Sequence, residues 1–337
     1  MSATEFDLYD RPPRPSLKTW LTHFAFLLVT LVTATIAGVL YPFGTTDTFP
    51  EADPQTWSEI ARFISTIPER YAAFIAGVIY NLATNVEYLK YGLSFSLSLL
   101  FILISHEMGH YVACRIYRVD ATLPYFIPTP PLVGPAGTFG AFIKIRSPMP
   151  SRKAVFDIGV AGPIAGFIAL IPIAIIGVAT MQTVPPQFAA HSQSQIIFAD
   201  PLMMKVIAYF FGIDLQFGIG NPFYFAAWVG LLVTALNLIP SGQLDGGHAI
   251  YAILGKRLHY WTGRIAFVAM AALSILGWIY YNSPSGFLIA VLLGVMMRIP
   301  HPEPWDQTPL GLKRKILAFA TLMIFVLCFL PFPIQIS

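Results

Sequence analysis

The stretch ILISHEMGHYVACRIY, residues 102–117, sets two histidines and a glutamate inside an apolar helical run. Residues four apart on a helix share a face, so His106 and His110 can grip one metal ion while Glu107 beside them takes a proton from water. A run this apolar belongs in a membrane, where ionisable side chains are costly and mark function.

The rest of the chain agrees with that setting. Of 337 residues, 56% are hydrophobic and 11% charged, against about a quarter charged in soluble proteins; the mean hydropathy is +0.66. The expected fold is an all-α polytopic membrane protein of about six to seven transmembrane helices, with a membrane-associated β-hairpin or strand between the second and third. Cys114 and Cys328 stand far apart in apolar segments, which excludes a disulfide framework or a cysteine metal cage. Cys114, four residues after His110, is read as a small core residue. The net charge of +3 comes without a basic, aromatic-interleaved cluster, so nucleic acid is not an expected partner.

Residues 1–18 read as a polar cytosolic tail and, lacking a small-residue cleavage site, as part of a retained anchor. Residues 19–90 hold the first span, about Trp20 to Tyr41, and an outer loop with Asp47, Glu51, Asp53, Glu59 and Glu69. The piece from Tyr71 to Tyr80 is too short for a span and is read as re-entrant or interfacial. Residues 91–257 are the expected catalytic membrane core, with spans at about Tyr91–Val112, Val155–Thr180 and Pro222–Ile239. Residues 258–337 hold C-terminal spans at about Ile265–Tyr281, Gly286–Met297 and Ile316–Phe332. Between the second and third spans, five prolines from Leu123 to Pro135 forbid a helix, and Thr138–Arg146 alternates as a short strand does. Gly162 and Gly166 form a small-xxx-small step, read as ordinary helix packing.

With the N-terminus inside, sixteen Lys and Arg residues fall on the inner side; only Arg62, Arg70, Lys90 and Lys205 fall outside. His106 lies nine residues before Arg115, about 13 Å along a helix and therefore below the inner surface of a hydrocarbon core of about 30 Å. A catalytic metal site needs a third protein ligand. The best candidate is Asp245 in NLIPSGQLDGGH, residues 237–248, where Pro240, Gly242, Gly246 and Gly247 break an apolar run as backbone lining a polar cavity does. His248 is the alternative ligand. His23, His191, His259 and His301 stand at no ligand spacing and are read as incidental.

HEMGH in one span, GPIAG in the next and NLIPSGQLDGGH after it resemble the site-2 protease family of intramembrane zinc metalloproteases. The likeness covers roughly residues 94–254, and the paired motifs in this order are far more specific than HExxH alone. LPYFIP followed by GTFGAFIKIRSP is similar to the plastid and cyanobacterial branch. The resemblance implies one Zn2+ ion held by His106, His110 and Asp245, with Glu107 as general base and Asn237 positioning substrate or stabilising the oxyanion. It implies hydrolysis of peptide bonds in single-span membrane proteins, as in regulated intramembrane proteolysis, with the lipid bilayer as surroundings. The expected location is a bacterial cytoplasmic membrane, active site toward the cytosol. Neither a PDZ insertion nor a CBS-like tail is expected. A catalytically idle substrate-binding or chaperone-like homologue and a metal transporter are the competing classes; the intact Glu107 speaks against the first and the absence of inverted repeats against the second.

Overall fold

The computed structural model describes residues 13–40, 42–44, 55–134, 136–185, 196–299 and 301–336. Asp47, Glu51, Asp53 and His191 lie outside them. The helices are α1 (Leu17–Val39), α2 (Trp57–Thr84), α3 (Val86–Ile116), α4 (Arg152–Ala179), α5 (Leu202–Phe211), α6 (Pro222–Leu238), α7 (Asp245–Leu254), α8 (Lys256–Tyr281), α9 (Ser285–Met296) and α10 (Leu312–Cys328). Four of them, α1, α3, α4 and α8, are long and apolar enough to cross a membrane. Three two-stranded antiparallel pairs complete the order: β1 (Tyr125–Pro128) with β2 (Thr138–Phe142), β3 (Gln182–Thr183) with β5 (Gly218–Ile219), and β4 (Ile196–Phe198) with β6 (Ile334–Ile336).

The segment Tyr71–Tyr80 is not a separate short piece. It is the C-terminal half of α2, 28 residues long and running through Pro68. Its start is fixed by a capping box in which the Thr56 hydroxyl accepts from the Glu59 N–H and the Glu59 carboxylate accepts from the Thr56 N–H. Charged Glu59, Arg62, Glu69 and Arg70 dilute its hydropathy, which is why α2 is absent from the helices apolar enough to cross.

The centre of the molecule is α3 laid along α4, with α1 and α6 against α3, and α6 and α7 against α4. In a bilayer, helices gain nothing by burying apolar faces from one another and associate through close packing and polar contacts. Both occur here. A Cβ added to Gly109 of α3 would come 2.4 Å from the Ala161 carbonyl oxygen of α4, and one on Gly92 would come 2.7 Å from the Thr35 oxygen of α1. Thr35 and Ser96 share a buried hydroxyl hydrogen bond of 2.7 Å between α1 and α3. Cys114 is fully buried in one apolar cluster that also holds Phe156 and Tyr251, as a core residue.

At one end of this bundle Arg314 of α10 donates two bonds, 2.9 and 2.6 Å, to the Asp157 carboxylate of α4. Tyr117, just past α3, donates to the same carboxylate. Arg152 donates to the Ala252 carbonyl at 2.7 Å, so a cation meets the C-terminal end of α7, where free carbonyls gather negative charge.

The strand pair sets Tyr125 opposite Phe142 and Phe126 opposite Ala141. β2 ends at Phe142, short of Arg146, though an isolated bridge joins Ala121 to Ile145. With two strands in the sheet, β2 keeps one edge without a strand partner among the described residues. His23 of α1 holds this region by a 2.9 Å bond from its Nδ1 to the Pro124 carbonyl, so it is not incidental.

Gly109→Val is expected to force α3 from α4 and lower stability by about 1–3 kcal/mol. Gly77 of α2 meets nothing within 4 Å, so Gly77→Ala is expected to raise stability by about 0.5–1 kcal/mol. Thermal unfolding of the two detergent-solubilised variants beside the parent checks both signs.

Candidate metal centre

α3 starts at Asn85, whose side chain accepts from the N–H groups of Glu87 and Tyr88. Two turns before its end it carries His106, Glu107 and His110, each less than 8% exposed. Helical spacing aims both imidazoles the same way, and their Nε2 atoms lie 3.2 Å apart.

The third corner comes from the turn between α6 and α7. Ile239 is extended, as a residue before proline must be, and Pro240 cannot continue the helix. The chain then reverses through Gly242 at φ +54°. A Cβ on Gly246 would lie 2.0 Å from the Leu238 oxygen, and one on Gly247 would lie 2.4 Å from the Gly242 oxygen. Only glycine fits a turn this tight. It delivers Asp245 to the first position of α7, where unpaired N–H groups favour a carboxylate. Asp245 Oδ2 stands 3.3 Å from His106 Nε2 and 3.3 Å from His110 Nε2.

These three distances test whether zinc fits. Tetrahedral zinc with bonds of about 2.0–2.1 Å holds its ligand atoms about 3.3–3.4 Å apart. The triangle of His106, His110 and Asp245 has sides of 3.2, 3.3 and 3.3 Å, and among the described residues it is the one group of such donors close enough to share an ion. His110 Nδ1 lies 2.7 Å from the Ile158 carbonyl, which can only accept. The proton is therefore on Nδ1, and Nε2 presents its lone pair to the triangle. The donor set suits the ion.

Gly162 and Gly166 do more than bring helices together. A Cβ on Gly162 would lie 2.0 Å from His110 Nε2, and one on Gly166 would lie 3.0 Å from the His106 Cβ. The two glycines of α4 leave the space that the two imidazoles occupy. Spacing in the sequence signals a close approach at this point, but not what approaches.

Asn237, in the last turn of α6, sets its Nδ2 3.4 Å from His106 Nε2. Ile143, just beyond β2, brings its backbone N–H near the Glu107 carboxylate. A cavity of about 500 Å³ joins these groups; β2 and the residues after it, Ala141 to Ile145, form part of its lining, and Asn237, Asp245 and His248 another part. His248 is outside the triangle. Its Nδ1 lies 2.7 Å from Nε2 of His301 instead. His259 bonds through Nε2 to the Gly242 carbonyl at 3.0 Å, so His259 and His301 are not incidental: both brace the Asp245 turn.

Gly162→Ala is expected to displace His110 and weaken zinc binding by at least about tenfold, while Gly166→Ala, whose added Cβ comes no nearer than 3.0 Å to His106, weakens it less. Zinc retained by each purified variant against a graded chelator measures this.

The model of Peptidase family M50 matches residues 94–277, a span that carries both ligand helices. The chain is 32% identical over 238 residues to the probable chloroplastic zinc metalloprotease EGY1 of Arabidopsis thaliana, an alignment that takes in 68% of this chain and 41% of that protein. It is 28% identical over 255 residues to the probable chloroplastic zinc metalloprotease EGY2 of the same plant, covering 74% and 43%. It is 26% identical over 330 residues to EGY2 of Oryza sativa subsp. japonica, covering 85% and 57%. The chain thus spans about half the length of the curated relatives it matches. Because these relatives are chloroplastic proteins of plants, the expectation of a bacterial cytoplasmic membrane is overturned. With the match running over more than half of its length and across the whole metal centre, the chain belongs to peptidase family M50.

Proposed function

We propose that this protein is a zinc-dependent endopeptidase that cuts single-span membrane proteins within the bilayer, in the manner of regulated intramembrane proteolysis. The observation that carries the proposal is the buried triangle of His106, His110 and Asp245 with Glu107 beside it in a cavity. In this reading those three residues hold the ion and residues 91–257 form the catalytic core. The four long helices are joined by α6, α9 and α10 to make seven crossings, and β1 and β2 lie against the membrane. The chloroplastic relatives support a plastid membrane as the place of action.

Zinc held by these residues would supply Lewis acidity, enough to polarise a peptide carbonyl and make water a better nucleophile at neutral pH. Glu107 takes the proton from that water and returns it to the leaving amine. The Ile143 backbone lies beside its carboxylate in the cavity wall. Asn237 donates its side-chain N–H to the carbonyl oxygen as negative charge gathers there. Putting a carboxylate at this depth costs about 2.5–3.5 kcal/mol on insertion scales, a cost offset by the cation of the site and the cavity.

A substrate helix hides its carbonyls in its own hydrogen bonds and must open before attack. The unpaired edge of β2 offers the opened chain a partner that reads main chain rather than sequence.

Glu107→Gln is expected to lower casein cleavage by about 10²–10⁴-fold, with one zinc ion still bound per chain. If the parent binds zinc yet cuts neither casein nor a single-span peptide, the endopeptidase reading is wrong. Ala141→Pro is expected to weaken cleavage severalfold with zinc retained; an unchanged rate would sink the strand's role. Position 141 is the better choice than 143, whose backbone lies beside Glu107.

A further inference from the structure

His248 lines the cavity without reaching the triangle, and its environment fixes which nitrogen carries its proton. His301 Nδ1 lies 2.8 Å from the Pro302 carbonyl, an acceptor only, so that nitrogen is protonated. Burial above all, and then the neighbouring His248, push the His301 imidazole down to about 3, so the ring is neutral and its Nε2 holds a lone pair. The 2.7 Å contact between that Nε2 and His248 Nδ1 is therefore a donation from His248. Half-buried among apolar helices, His248 is itself neutral, and its Nε2 is left as an acceptor. Tyr251 stacks on the His301 ring at 4.0 Å and 8°, which holds the relay in place.

An extended peptide has two hydrogen-bonding edges. Paired with β2 it satisfies one, and the N–H groups of the other face away into the cavity. Each such group left without an acceptor costs about 1–3 kcal/mol. β2 rests on α3 and α1, whereas α7 rests on α4 and α8, so His248 belongs to a different wall of the same cavity.

We propose that His248 is a substrate-binding residue whose Nε2 accepts a main-chain N–H of the extended substrate, and that His301 is a positioning residue that fixes the tautomer His248 needs. The proposal rests on the endopeptidase reading and adds to it a second contact for the substrate backbone.

Fluorescein-labelled casein binding is measured on the full-length Glu107→Gln protein in detergent, alone and combined with His248→Leu, His248→Gln or His301→Leu, with zinc content determined for each. His248→Leu and His301→Leu are expected to raise the casein Kd about tenfold with zinc unchanged. His248→Gln, which keeps an acceptor oxygen, is expected to stay within about twofold of the Glu107→Gln parent. Nitrogen NMR of 15N-histidine protein is expected to show both His248 and His301 protonated on Nδ1. An unchanged Kd in either Leu variant, a Gln variant as weak as the Leu variant, loss of zinc, no measurable casein binding, or the other tautomer overturns the proposal. Failure of the protein with Glu107 intact to cut casein, with the binding shifts as expected, would instead overturn the endopeptidase reading and leave the His248 acceptor standing.

Discussion

Three donor atoms must be held about 3.3 Å apart, from three places in the chain, inside a helix bundle. Nearly every unusual feature of the chain serves that requirement. Two imidazoles need room between α3 and α4, helices that already touch backbone to backbone at Gly109 and Ala161. That room exists because Gly162 and Gly166 carry no side chains. The third donor needs a sharp reversal after α6, and Gly242, Gly246 and Gly247 make the reversal at distances no Cβ would tolerate.

Rigid placement of the ligands also depends on what happens one layer out. The C-terminal end of α7 is tied to α4 by Arg152. The Asp157 carboxylate gathers Arg314 and Tyr117, so α10, α4 and the end of α3 meet at one half-buried acid. His259 grips the Gly242 carbonyl from α8. The bonds of Arg152, Arg314 and Tyr117 join elements distant in sequence, and together with that of His259 they leave α3, α4 and α7 little freedom to slide.

The centre was legible in the sequence because its signals are local. HEMGH places two imidazoles and a carboxylate in one helical turn, and the proline and glycines around Asp245 announce a broken segment. The helices follow from apolar runs, and their ends fall within a few residues of expectation in α1, α4 and α6. What stayed hidden depends on who meets whom. GPIAG announces a close approach, yet only the structure brings the imidazoles of His106 and His110 into that gap. His301 stands 53 positions beyond His248, and nothing local links them. The extent of α2 was missed for a different reason: its charged residues hid the helix from a hydropathy reading, although Thr56 and Glu59 held a capping signature in plain view.

The order of the elements also gives the protein a timetable. His106 and His110 are synthesised together on α3, but the third donor arrives only after α4, the strand pairs and α6 have been made. A nascent chain therefore owns two corners of the triangle and no means of closing it. Arg314, which binds α10 to Asp157, arrives later still. Closing the triangle is thus a late step of assembly, open to the chain only once α6 and the turn after it have been laid against α3 and α4.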